Sequence, residues 1–292
     1  MKREFDVHRD IWGPQVAFML HVLADALQEP AINENPLEIS FPDIEQVQNF
    51  ITPNPVAQKH LSGESLIYRD ITNGPDESLK YFDYASEEYD LASLPFKEKL
   101  WPALQALLSQ LLTPNCRVLD GACGTGFEAI QISKMLTNGE VVAVDLSYNM
   151  IQRAYRNAKL EGITNMAFYH ANNRHLPHDW TQAFDVVLCN LALHYFDDAA
   201  ASLNELSKLL QPNGVFIITE PIKNQTSPGI ASALKSANPH FNQFYSRQEI
   251  VEILLPHGLV NIKSVKPFKG IETLVFKRML NLENNTIVNP NA

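Results

Sequence analysis

From Cys116 onward, short continuous apolar runs alternate with amphipathic stretches, and this alternation restricts the fold more than any other feature of the 292-residue chain. Residues 117–120 (Arg-Val-Leu-Asp) read as a strand ending in a glycine-rich turn, with a helix from there to about Leu136. Further strands are expected at 141–145, 166–169, 184–189 and 215–219. A helix begins after Ser147, carries Met150, Ile151, Ala154 and Ala158 on one face, and stops at Gly162. Another presents Leu203, Leu206 and Leu210 and ends at Pro212-Asn213-Gly214. A last helix near 246–256 precedes two strands, 260–266 and 271–278, joined through a short stretch with Pro267 and Gly270. Continuous apolar strands alternating with helices require a mostly parallel sheet covered on both faces. The last two strands are too closely joined for a helical crossover and must pair antiparallel. The architecture is an open α/β sheet.

The first third reads differently. A helix is expected from Pro14 to about Gln28, then short helices at 42–52 and 56–61 among Pro30, Pro36, Pro42, Pro53, Pro55 and Pro75. A further helical stretch spans 93–112, with Ser93 as its N-cap and Pro102 breaking or kinking it. Residues 1–100 hold 8 Lys/Arg against 18 Asp/Glu, whereas residues 101–292 hold 15 of each, so the whole net charge of −10 sits in the first third. Such a balance disfavours a grip on nucleic acid. The longest apolar run near the start, 16–20, is too short for a membrane span, and no signal-type segment precedes it. Three cysteines, Cys116, Cys123 and Cys189, form neither a disulfide framework nor a zinc spacing, so no metal site is expected and a reducing cytoplasm is the simplest setting. The organisation expected is a helical segment over 1–92, a main domain over 93–280 and a tail over 281–292.

In open parallel sheets, ligands bind beyond the carboxyl ends of the strands, so the residues there carry the chemistry. Asp120-Gly121-Ala122-Cys123-Gly124-Thr125-Gly126 ends the first strand of the domain, and its small residues let backbone approach a ligand closely. A tight strand-to-helix turn with no ligand would use the same residues. Asp145 ends the next strand and is placed to accept two hydrogen bonds from ribose hydroxyls; a helix-capping acid is the plainer reading. Taken together, in this order, the two indicate a nucleoside cofactor. Gly124-Thr125-Gly126-Phe127-Glu128-Ala129 satisfies the dinucleotide fingerprint, but its first glycine lies four residues past Asp120 instead of directly after the strand. An acid before the glycines also suits a cationic ligand, with an ammonium or sulfonium, better than a pyrophosphate. A nicotinamide-dependent oxidoreductase is therefore the weakest rival.

On these residues the chain resembles the class I S-adenosylmethionine-dependent methyltransferases, particularly small-molecule members of the quinone-biosynthesis-like kind. Residues 118–126 resemble the family's V-L-D-x-G-C-G-T-G, with Ala122 at the usual first glycine. Residues 144–150 resemble V-D-x-S-x-x-M, in which the acid holds the ribose, and 171–177 resemble A-N-A-x-x-L-P, in which the middle residues contact adenine. Residues 209–214 resemble the L-x-P-x-G turn before the fifth strand, and 82–90 resemble F-D-x-x-A-x-x-Y-D, which implies Tyr89 near the methionine end of the cofactor. The resemblance implies a Rossmann-like seven-stranded, mostly parallel sheet with an antiparallel terminal hairpin, plus a mainly helical N-terminal segment serving as lid and substrate wall. It implies S-adenosylmethionine as cofactor. The expected cofactor residues are Asp120, Gly121, Gly124, Thr125, Gly126, Asp145, Leu146, Asn172, Asn173, Asn190 and Tyr89.

Methyl transfer is an in-line displacement helped chiefly by positioning and in some cases by a base. His194, just past the fourth strand of the domain, is the candidate base, with Tyr195, His170, His175 and His240 behind it; similar Leu-His stretches are also scaffold. Glu220 reads equally as a substrate-orienting acid or a loop anchor. The end of that fourth strand, Asn190-Leu191-Ala192-Leu193, lacks the N-P-P-[YF] of amino-methylating DNA and glutamine enzymes. The expected acceptor is a small molecule, neutral or cationic, because an acidic lid would repel phosphorylated ones. A protein side chain as acceptor and a non-catalytic cofactor-binding protein are the remaining alternatives, and the acceptor atom (C, N, O or S) and the oligomeric state stay open.

Overall fold

A computed structural model describes residues 67–69, 89–226 and 241–279. In chain order the elements are β1 (Ile67–Arg69), α1 (Tyr89–Leu111), β2 (Arg117–Asp120), α2 (Phe127–Ser133), β3 (Glu140–Asp145), α3 (Tyr148–Leu160), β4 (Met166–His170) and β5 (Phe184–Asn190). They continue as α4 (Ala199–Leu209), β6 (Leu210–Pro221), α5 (Arg247–Leu254), β7 (Leu259–Phe268) and β8 (Ile271–Arg278). The strands form one sheet in the order β1-β4-β3-β2-β5-β6-β8-β7. β1 to β6 run parallel, and β8 is antiparallel to both β6 and β7. The seven expected strands are all present. The eighth, β1, is a three-residue edge strand in the segment expected to be mainly helical.

Successive strand residues face opposite sides, and each side has its own core. Val118, Val141, Ala143, Phe168, Val186 and Ile217 pack under α1, α2 and α3. Leu119, Val142, Val187, Cys189, Phe216 and Phe276 pack under α4 and α5. Chain order explains the site's location. β2, β3 and β4 spread the sheet in one direction, and β5 and β6 spread it in the other, so the order reverses between β2 and β5. Asp120 and Asn190 end those two adjacent strands.

Three local expectations are corrected. α1 starts at Tyr89, so Ser93 is inside it and not its N-cap, and the helix runs on through Pro95 and Pro102 to Leu111. An interior proline costs a helix about 3 kcal/mol. Burial of Phe96, Leu100, Leu104, Leu107, Leu108 and Leu111 along one stripe offsets it, at about 1.5–3 kcal/mol per large side chain. α2 ends at Ser133 instead of near Leu136, because Met135 and Leu136 donate to residues three positions back. α4 ends at Leu209, and Pro212, Asn213 and Gly214 belong to β6, in the stretch where its register with β5 shifts from Phe184 opposite Leu210 to Val186 opposite Val215. Ser147 and Ser246 cap α3 and α5, the latter through a reciprocal capping box with Glu249. The helices expected at 14–28, 42–52 and 56–61, the motif residues 82–88, His240 and the tail 281–292 lie outside the described residues. No described helix is long and apolar enough to cross a membrane.

Candidate functional site

A cavity of about 130 Å³ opens where the strand order reverses. Its floor is the β2–α2 turn, which the sequence bends sharply at two left-handed glycines, Gly124 (φ 54°) and Gly126 (φ 83°). At Gly121 a Cβ would come within 2.8 Å of the Leu206 side-chain tip and 3.3 Å of the Leu188 carbonyl, so the turn lies close against β5 and α4. At Gly126 a Cβ would stand 2.9 Å from the Ala154 Cβ, which draws the start of α2 onto α3.

The acids at the strand ends are held differently. Asp145 accepts from the Gly124 N–H (2.7 Å) and the Ser147 N–H (2.9 Å), so its carboxylate braces the glycine turn while lining the cavity. Asp120 is 2% exposed, and one of its carboxyl oxygens is buried without a hydrogen-bond partner. Burial, reinforced by the nearby Glu128 carboxylate, pushes its pKa up to about 8. Across from it, both polar atoms of the Asn190 amide are buried and unpartnered. The next residue, Leu191, sits at φ 53°, a left-handed conformation that a leucine adopts only under constraint.

Nine expected cofactor residues line the cavity together: Tyr89, Asp120, Gly121, Gly124, Asp145, Leu146, Asn172, Asn173 and Asn190. Asn172 spends its amide oxygen on the Arg174 N–H (2.9 Å), and Asn173 donates to the Gly121 carbonyl (3.4 Å). Thr125 and Gly126 lie outside the lining; the Thr125 carbonyl accepts from Asn157 instead. That same Asn157 amide and Arg153 both donate to Asp90 at 3.0 Å, pinning the start of α1 to α3. His194 is also outside the lining, 4% exposed, whereas Tyr195 faces the cavity. Among the described residues, no cluster of His, Cys, Asp and Glu is arranged to hold a metal.

Sequence reasoning missed Lys97 and Glu128, a buried ion pair (3.2 Å) on the cavity wall. The Lys97 ammonium lies 5.3 Å from the Tyr89 ring centre and 5.9 Å from that of Phe127. Burial would lower its pKa, but Glu128 and Tyr89 outweigh that and hold it above the usual lysine range. Burial raises the Tyr89 hydroxyl. Glu128 had one signal, its place in the first turn of the helix after the glycines; Lys97, a single lysine on a helix, had none.

These groups fit the expected cofactor. Two residues of the cavity lining, Asp120 and Asn190, carry buried polar atoms with no partner, and the lining carries four carboxyl groups (Asp120, Glu128, Asp145, Asp197) against two cations (Lys97, Arg174). A cationic ligand suits that balance.

A family model described as a methyltransferase domain matches residues 112–266. Among curated relatives, the malonyl-[acyl-carrier protein] O-methyltransferase of Legionella pneumophila is 26% identical over 185 residues, 62% of this chain and 62% of its own. The demethylmenaquinone methyltransferase of Staphylococcus saprophyticus is 33% identical over 36% of this chain and 44% of its own. The tRNA 5-carboxymethoxyuridine methyltransferase of Escherichia coli is 33% identical over 40% of this chain and 44% of its own. The chain thus spans between about two-fifths and three-fifths of these relatives' lengths. The solved structure of a SAM dependent methyltransferase from Aquifex aeolicus shares the fold, with a TM-score of 0.54, 20% identity, and coverage of 68% of this chain and 98% of that one.

Proposed function

The chain belongs to the methyltransferase-domain family, and from that premise we propose that it transfers the methyl group of S-adenosylmethionine, its cofactor, to a small organic acceptor. One observation supports this reading above the others: Asp120 and Asn190, each with buried polar atoms that have no partner, line one cavity at the switch point of the sheet. Asp120 would take the ammonium of the cofactor's amino-acid end, Asp145 the ribose hydroxyls, and Asn172 and Asn173 the adenine edge. The cofactor supplies an electrophilic methyl group. The chain's part is to orient the acceptor in line with it and to keep water away.

The acceptor is neutral or cationic. The excess of carboxyl groups in the cavity, the aromatic residues Tyr195 and Phe196 in its lining and the −10 charge of the first 100 residues support that choice. Residues 1–92 act as lid and substrate wall, 93–280 as the transferase domain and 281–292 as a tail. The net charge of −10 argues against nucleic acid. Three unpaired cysteines suit the cytoplasm. A carrier-protein-bound acceptor is the second reading, favoured by the Legionella relative.

Methyl-labelled cofactor incubated with small-molecule extract, malonyl-loaded carrier protein and bulk tRNA tests all three classes together. Label in the small-molecule fraction is the expected result. Label confined to carrier protein or tRNA contradicts it, and cofactor binding without any labelled product favours a non-catalytic role.

A further inference from the structure

The loop after β5 presents Asn190, Leu191, Ala192, Tyr195 and Phe196 to the cavity, and everything that fixes its shape lies behind it. Glu220, near the end of β6 and 2% exposed, accepts the Ala192 N–H (2.7 Å) and the Leu193 N–H (2.8 Å) on one oxygen. Its other oxygen lies 2.6 Å from His194 Nδ1. The Leu191 N–H donates to the Thr219 carbonyl (2.7 Å), so the left-handed Leu191 is held from the same strand. From the far side, the Asn242 N–H donates to the His194 carbonyl (2.9 Å), and the Asn242 amide to the Phe196 carbonyl (2.8 Å). Phe241 and Phe244 close over the imidazole, with ring centres 6.1 and 5.8 Å away, and the Tyr195 ring backs onto it at 4.1 Å.

We infer that Glu220 and His194 form a strut that positions the acceptor-side wall of the cavity, and that His194 takes no part in proton transfer. Glu220 ties three consecutive residues of the loop to the sheet. His194 passes that constraint to the ring of Tyr195 in front and to the loop residues 241–244 behind. A proton acceptor for the methylated atom needs a face on the cavity, and His194 has none. Both oxygens of Glu220 are bonded to the loop, and Glu220 does not line the cavity. A carboxylate left without these partners at such depth is strongly unfavourable, which keeps the loop in a single conformation despite the strain at Leu191.

The inference rests on the methyl-transfer reading for what the wall faces, and its test separates the two. S-adenosylhomocysteine affinity by calorimetry and amide exchange of Ala192 and Leu193 are measured in the wild type and in four variants. Glu220→Gln keeps an acceptor for both N–H groups, and His194→Asn keeps a donor at the Nδ1 position; each is expected within about threefold of wild type in affinity and exchange. Glu220→Leu and His194→Phe remove the strut and are expected to lose about tenfold in affinity and to speed exchange by at least as much. Wild-type protection in Glu220→Leu overturns the strut. So does a His194→Phe protein with wild-type affinity and exchange, because it keeps a ring and lacks only the donor to Glu220; this variant decides the matter even where Glu220→Leu does not fold. Absence of binding in the wild type defeats the cofactor reading alone, because amide exchange still reports on the strut.

Discussion

At the scale of single residues, two acids that look alike in the sequence behave as opposites. Asp145 braces the glycine turn by accepting two N–H donors, and its loss would remove both that brace and the proposed ribose acceptor. Asp145→Ala is expected to weaken S-adenosylhomocysteine binding about a hundredfold by calorimetry, with Asp145→Asn intermediate. Asp120 is held with its pKa at about 8, above the usual carboxylate value of 3.8, so the folded state binds its proton more tightly than the unfolded chain does. The stability this contributes is full below about pH 4 and is lost as pH rises toward 8. Urea unfolding without ligand should show that decline between pH 5 and 8.5, and Asp120→Asn should flatten it. An ammonium placed beside Asp120 reverses the preference. Binding near pH 7 should therefore release a proton, seen as a buffer-dependent heat that Asp120→Asn abolishes. The identities of these acids were legible because each ends an apolar run before a turn. Lys97 was not, because a charged residue on a helix declares a partner only once the helix is placed, and Glu128 pairs with it from 31 positions away.

At the scale of elements, strand-helix alternation carried nearly all of the sheet, since apolar runs and capping serines act locally. α1 defied local reading: Pro102 argued for a break or kink, and a buried stripe extending from Phe96 to Leu111 prevailed. β1 was equally hidden, because three residues hold too little pattern to mark a strand. The β2–α2 turn shows the same dependence on tertiary contact. Gly126 combines a left-handed φ of 83° with a Cβ site 2.9 Å from Ala154, so Gly126→Ala meets both strain and a helix that has little room to yield. A loss of about 2 kcal/mol is expected, read as a lowered urea midpoint at unchanged m-value. An unchanged midpoint would mean that α2 and α3 separate easily and that the turn is not fixed by their packing.

At the scale of the whole molecule, a charge-balanced sheet domain carries the site, and the net −10 belongs to the first 100 residues. A field of that sign slows anionic acceptors and is screened within about 8 Å at physiological ionic strength. Phosphorylated acceptors should therefore turn over more slowly than their neutral counterparts, with the gap narrowing as salt is added. A gap that ignores salt would place the discrimination in contacts within the cavity instead. The central claim is that the reversal of strand order between β2 and β5 builds a site for S-adenosylmethionine and not for a dinucleotide, despite the Gly124-Thr125-Gly126 spacing. Calorimetry of the full chain with S-adenosylhomocysteine and, separately, with NADH tests it most directly. Saturable one-to-one heat with S-adenosylhomocysteine and none with NADH is the predicted result; saturable heat with NADH, or none with S-adenosylhomocysteine, would contradict it.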